Sequence, residues 1–261
     1  MYHLAALDAQ LADTVFAGKF HFSQSTGSTN TDAMGAARMG APHGSVYLAD
    51  EQRAGRGRGD HGWHSAAGEG LYVSVVLRLA LPAARLPLLP LAVGLAAADA
   101  IRGVTGLTVD LRWPNDLLVG ERKTGGILVE ANVESNGQPH ATVAGIGVNV
   151  HQREFPPGLA TQATSLDMET GLHVSRQALL MALLKSLERE ATALLDPATA
   201  REIPARVERA STWVRGRSVV VHGPQACQGV TTGLDEDGFL RVRTADGVVT
   251  LQTGGLRAAK D

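Results

Sequence analysis

Apolar positions in the first 150 residues fall mostly in short runs at period two. Leu71, Val73, Val75 and Leu77 share one face of a predicted strand beginning at Gly70. Gly44 to Asp50 reads the same way, with Val46 and Leu48 on one face. Further strands are predicted near Val109–Trp113, Ile127–Val133 and Thr142–Val150. Helical patterns are fewer. Ser28, Thr29 and Asn30 precede an alanine-rich run to Met39 that Gly40 closes, which gives polar N-cap candidates and a glycine stop. A second helix is predicted near Leu88–Ile101. The apolar stretch around it, Leu86 to Ile101, contains Pro87, Pro90 and Asp99. It is shorter than the ~20 residues of a membrane span and reads as a buried core helix. Leu179, Leu180, Leu183, Leu184 and Leu187 mark an amphipathic helix by their three- and four-residue spacings.

Turn signals arrange these elements. Gly120-Glu121 sits between two apolar runs, and Glu134-Ser135-Asn136-Gly137 has Asn-Gly at its centre, so both read as hairpin turns. The pattern predicts an α+β domain: a mixed, mostly antiparallel sheet with helices packed on one face. A linker or short helix around Pro197–Arg209 leads to a different texture. From Ser218, short β-branched runs are broken by Gly223-Pro224, Asp235-Glu236-Asp237-Gly238 and Asp246-Gly247. Even turns of this kind predict a small closed β-barrel. The expected division is a domain over 1–210 and a barrel over 211–261.

Composition narrows the class. With 44% hydrophobic and 19% charged residues, the 261-residue chain has the balance of a globular protein. Its formal net charge of −2 gives no global field for nucleic acid or an anionic membrane. The lone Cys227 cannot form an internal disulfide and reads as a small apolar filler in a strand, which points to a reducing compartment. The first ten residues lack a basic region and an apolar core, so no signal peptide is expected.

The densest chemistry lies in Asp50 to Ser65, DEQRAGRGRGDHGWHS. Gly55, Gly57, Gly59 and Gly62 alternate with Arg56 and Arg58 and lead to Trp63. So many glycines suit neither helix nor strand, which predicts a loop that is mobile when empty. Its arginine forks fit carboxylates and phosphates. A cationic loop that orders on an anion can hold a reactive phosphate species away from water. Arg53 reads as an exposed charge outside this core.

Four further segments stand out: Gly27-Ser28-Thr29-Asn30, Arg112-Trp113-Pro114-Asn115-Asp116, Lys123-Thr124-Gly125-Gly126-Ile127-Leu128-Val129-Glu130, and Gly145-Ile146-Gly147-Val148-Asn149-Val150. Each has an ordinary reading. Ser28, Thr29 and Asn30 could only cap a helix. Asn115 and Asp116 could only form a turn. Trp63 could pack the base of its loop, and Lys123 could be a hairpin charge. Asn149 is a polar residue in an apolar strand, and a buried amide needs a partner. His43, His61, His64 and His151 lack metal-ligand spacing and read as surface or loop residues.

Together with the Gly/Arg loop, in this order, these segments resemble the biotin–protein ligases, from about Phe22 to the C-terminus. The resemblance implies a class II synthetase-like core followed by a small barrel of Src-homology type. It implies an enzyme that forms a C–N bond. Biotin and ATP give biotinyl-5'-AMP and pyrophosphate, and biotin then passes to a lysine of a biotin carboxyl carrier protein of a carboxylase. Carried over residue by residue, it assigns Ser28, Thr29 and Asn30 to biotin's rings and Gln52 to hydrogen bonds with the ligand. Gly55, Arg56, Gly57 and Arg58 would wrap biotin and the adenylate phosphate. Lys123 would bond the biotin carboxylate and phosphoryl oxygens, and Gly126 the ureido ring. Asn115 and Asn149 would lie near the nucleotide, and Trp63 would cover the ligand. Lys123, Arg56 and Arg58 are thereby the catalytic candidates. Mg²⁺ would arrive with ATP, assisted by Asp116, without a dedicated protein site.

Where many relatives place further arginines, this chain has Gly59-Asp60-His61, which puts the tightness of phosphate clamping in question. Only some twenty residues precede the core, too few for the helix-turn-helix domain of the family's regulatory members. The resemblance thus implies a cytoplasmic enzyme, monomer or homodimer, with no nucleic acid or membrane partner. The alternatives are a lipoate–protein ligase, which shares the acyl-adenylate logic, and a nucleic-acid-binding protein, which the charge balance disfavours.

Overall fold

The structure, a computed structural model, describes residues 2–59, 61–133 and 139–259. The elements in chain order are α1 (Leu4–Gln10), β1 (Phe20–Thr26), α2 (Thr29–Arg38), β2 (Val46–Gln52), β3 (Gly70–Leu77), α3 (Leu88–Thr105), β4 (Asp110–Arg112), β5 (Asp116–Val119), β6 (Arg122–Val133) and β7 (Pro139–Asn149). There follow α4 (Leu166–Thr170), α5 (Arg176–Leu195), α6 (Pro197–Ala200), α7 (Ile203–Arg209), β8 (Arg215–His222), β9 (Cys227–Leu234), β10 (Leu240–Thr244), β11 (Gly247–Leu251) and β12 (Gly255–Ala258). The turn expected over Glu134–Gly137 lies outside the described residues, but the strands on either side, β6 and β7, do pair antiparallel.

The first seven strands form one sheet in the order β1-β2-β3-β7-β6-β5-β4. Only β1 and β2 run parallel; every other ladder is antiparallel. This is the mixed α+β arrangement that the period-two runs predict. The odd residues of β3, Leu71 to Leu77, face the main core with α3 and α5. Its even residues face the opposite side. There Val76 joins Ala33, Met34 and Ala37 of α2 in a second apolar cluster, and Ser74 meets Thr29. The long helices thus pack one face as expected, while α2 lies across the other. Burial from both sides explains why all of β3 is inaccessible.

In α5, Leu179, Leu180, Leu183, Leu184 and Leu187 are all at most 1% exposed and belong to the core against α3. Leu183→Ala should therefore destabilise the chain by about 2–5 kcal/mol, read as a lower midpoint in urea with an unchanged slope. α3 is long and apolar enough to cross a membrane by composition, but over half of it is buried in this core. α1, β1 and α4 were not evident in the sequence. β1 is an edge strand with no fully buried residue, so its pattern carries little apolar signal.

The C-terminal strands form a five-stranded antiparallel sheet, β11-β10-β9-β8-β12. The expected barrel is not closed: β11 and β12 end the order, and no ladder joins them among the described residues. The main hydrophobic cluster continues into this sheet through Trp213, Val219, Val221, Leu240 and Leu256. Trp113 Nε1 donates to the Gly238 carbonyl at 3.1 Å, and the Arg112 guanidinium stacks 5.0 Å from the Trp213 ring centroid.

Candidate active site

A cavity of about 530 Å³ opens on the sheet face that α2 covers only in part. Its floor is β3, β7 and β6. One wall comes from the Gly/Arg loop, and another from 155–163 and the terminal sheet. Ser28, Thr29, Asn30, Gln52, Arg56, Gly57, Arg58, Trp63, Asn115, Asp116, Lys123, Gly126 and Asn149 all line it. These residues come from segments more than a hundred positions apart, which short-range turn or capping roles do not explain. Gly55 is the exception. It sits inside the loop, where its carbonyl accepts the Trp63 N–H at 2.8 Å and an added Cβ would lie 2.3 Å from the Trp63 carbonyl oxygen.

The loop is folded back on itself as a hairpin, with bridges Gln52–Ser65 and Arg56–Gly62. Trp63 packs against the backbone of Gly147 and Gly126. A Cβ at Gly147 would be 2.5 Å from its indole nitrogen, so the ring can reach the floor only because that position is glycine. Arg56 does not point at the cavity centre. It forms an ion pair with Glu130 at 2.6 Å. Arg58 reaches across to the terminal sheet and donates to the Gly254 carbonyl. Asp60 lies outside the described residues, and Arg53 is exposed as expected.

The uncharged end of the cavity is built from α2 and β2. Ser28 occupies the N-cap of α2, yet its side chain makes no capping bond, so capping alone does not account for it. The Thr29 N–H donates to Gln52 Oε1 at 2.9 Å, and Gln52 Nε2 donates to Ser65 Oγ at 2.8 Å. Asn30, Ser28 and Thr29 are buried. Asn30 Oδ1 and Trp63 Nε1 are buried without a hydrogen-bond partner, a costly state that a bound polar ligand would relieve.

The charged end centres on Asp116 at the start of β5. Its carboxylate takes Lys123 Nζ at 2.5 Å and Arg112 Nη2 at 2.6 Å. Burial pushes its pKa up, but the two cations outweigh burial and hold it below the usual carboxylate range. Arg58 and Arg257 feel the same carboxylate at longer range, while Arg56, paired with Glu130, lines the cavity from the loop. The cavity is therefore strongly cationic inside a chain of slightly negative net charge. Arg112 and Arg257 both donate to Thr161 Oγ1, at 2.9 and 3.1 Å. Lys123 Nζ also lies 5.4 Å from the centroid of the Trp63 ring. Asn115 Nδ2 donates to the Ile127 carbonyl and Asn149 Nδ2 to the Thr164 carbonyl, so the first amide braces β6 and the second the segment before α4, as well as lining the cavity.

Several lining residues were not singled out as candidates. Arg112, Gly145 and Gly147 lay inside segments already notable in the sequence. Ser74, Thr161, Gly254 and Arg257 carried no local signal. His61 and His64 line the cavity, while His151 is half-buried with Nδ1 2.8 Å from Asp167 Oδ2. His173 approaches the same oxygen at 3.3 Å. The two imidazoles stack 4.2 Å apart at 12°, so one ion could not lie in the plane of both rings, and the cluster reads as a shared carboxylate.

A cavity that pairs neutral polar groups at one end with convergent cations at the other suits a ligand that joins an uncharged polar ring to an acyl phosphate. Residues 22–149 match the model of the biotin/lipoate A/B protein ligase family. The chain is 33% identical over 229 residues to the bifunctional ligase/repressor BirA of Bacillus subtilis, covering 85% of this chain and 68% of that one. It is 33% identical over 237 residues to the biotin–[acetyl-CoA-carboxylase] ligase of Mycobacterium tuberculosis, covering 88% and 85%. Among solved structures, the biotin protein ligase of Aquifex aeolicus in complex with biotin and ATP superposes with a TM-score of 0.79 at 28% identity. That match covers 94% of this chain and all of the other.

Proposed function

The chain belongs to the biotin/lipoate A/B protein ligase family, and we propose that it is a biotin–protein ligase that makes and then spends biotinyl-5'-AMP. The observation that carries this reading is the Asp116 carboxylate held by Lys123 and Arg112, with Arg58 and Arg257 lining the same end of the cavity, beside a neutral polar pocket. In the first step a biotin carboxylate oxygen attacks the α-phosphorus of ATP and pyrophosphate leaves. Two anions must meet there, and the barrier falls when fixed cations neutralise the charge gathering on phosphoryl oxygens. Lys123 is held in place by Asp116 and serves that oxygen cluster. Arg58 and Arg257 close the phosphate end from the loop and the terminal sheet. In the second step a lysine amine of the acceptor attacks the acyl carbon, and AMP leaves with the P–O bond intact.

Ser28, Thr29, Asn30, Gln52 and the Gly126 backbone hold biotin's rings. Gly55 and Gly57 shape the loop, Arg56 anchors it, and Asn115 and Asn149 lie beside the nucleotide. Mg²⁺ comes with ATP. Among the described residues, the one lining carboxylate is already engaged by two cations, so the ion is held by phosphates and water rather than a protein cage. The acceptor is a biotin carboxyl carrier protein. The enzyme acts in the cytoplasm as a monomer or homodimer, with a catalytic unit over 1–210 and a terminal unit over 211–261.

The test is ATP–pyrophosphate exchange with biotin or lipoate as the sole acid. Exchange driven by biotin supports the proposal. Exchange driven by lipoate alone would move the chain to the other branch of its family. The loop adds a second expectation: trypsin should cut after Arg53, Arg56 or Arg58 more slowly once biotin and ATP are present, because a glycine-rich loop loses its remaining freedom on closure. Equal cleavage in both states would count against closure.

A further inference from the structure

We propose that Glu130 is a positioning residue that sets the direction of the Asn30 amide and so makes the pocket accept a ligand N–H. Gly126, Leu128 and Glu130 share the cavity face of β6 at period two. Glu130 itself lies beyond the cavity wall. One of its oxygens takes Arg56 Nη2 at 2.6 Å, and the other takes Asn30 Nδ2 at 2.5 Å. A carboxylate only accepts hydrogen bonds, so it can face the amide NH₂ of Asn30 but not its carbonyl. The carbonyl oxygen must then point the other way. It does: Asn30 Oδ1 lies over Gly145 on the cavity floor, where an added Cβ would stand 2.5 Å from it. There it is buried and unpartnered, an acceptor that lacks a donor.

A cyclic urea supplies such a donor. The inference rests on the biotin reading and deepens it: the chemistry recognised at this point is a ureido N–H. Arg56 contributes from the far side. Its charge keeps Glu130 in place and ties the amide's direction to the closed loop.

Glu130→Gln tests this without changing shape. The new side chain turns its carbonyl to Arg56 and its NH₂ to Asn30, and the Asn30 amide then flips to present NH₂ to the ligand. The expected result is about tenfold weaker biotin binding by calorimetry, the loss of one buried hydrogen bond. ATP affinity and thermal midpoint should stay near wild type, which a general structural defect would not allow. The second arm is the same change in an Asn30→Ala background, where it should have no further effect. Unchanged biotin affinity in Glu130→Gln, or a full effect that persists without Asn30, would overturn the proposal. Failure of wild type to bind biotin at all would instead overturn the functional reading.

Discussion

Lys123→Ala is expected to reduce biotin-dependent ATP–pyrophosphate exchange by about 10²–10³-fold, the usual cost of losing one preorganised donor to developing negative charge. The ammonium is placed with unusual security. Its strand position is fixed by backbone bonds to Gln162 and Thr164, and its nitrogen by Asp116. Removing it should leave the fold intact, because Arg112 still pairs with Asp116. Biotin should still enter the neutral end of the cavity, so binding of biotin alone falls far less than exchange. Exchange near the wild-type rate would refute the assigned role.

Arg58→Gly should leave adenylate formation largely working while preformed biotinyl-5'-AMP dissociates about ten- to a hundredfold faster, the range set by one hydrogen bond to a charged group. Two effects combine. The guanidinium lines the cationic end of the cavity, and it also fastens the loop to the terminal sheet through Gly254. Its partial burial lowers its pKa, opposed by the Asp116 charge. The escaping adenylate is a mixed anhydride that would acylate lysines indiscriminately. The dissociation rate of preformed adenylate decides the matter. An unchanged rate would mean that packing and backbone contacts retain the intermediate.

The sequence was most legible where a pattern is local. The leucines of α5 and the alternation in β3 declare their buried faces outright. The site segments were legible because glycine, arginine and asparagine occur there in combinations that neither helix nor strand needs. What could not be read depends on contacts between distant parts. β1 lies at an edge and has only Phe20 and Phe22 turned to the core, too short an alternation to mark a strand without its pairing to β2. Arg58 meets Gly254 across 196 positions, and Arg257 joins Arg112 at Thr161. No window along the chain holds either pair. The terminal strands displayed their turns, but closure of the sheet depends on edge pairing, which turn spacing does not encode. The sequence suggests Asp116 as a helper for Mg²⁺, and its geometry makes it first a counter-ion that sets Lys123 and Arg112.

The placement of Trp63 gives this molecule an optical probe of its own. The chain has three tryptophans. Trp113 and Trp213 are 4% and 2% exposed and fixed where the core meets the terminal sheet. Only the third lies on the loop, over Gly147 with its indole nitrogen unpartnered and a lysine charge nearby. It is the tryptophan that lines the cavity directly, so occupancy and loop motion can be followed through its emission in stopped flow without attaching a dye.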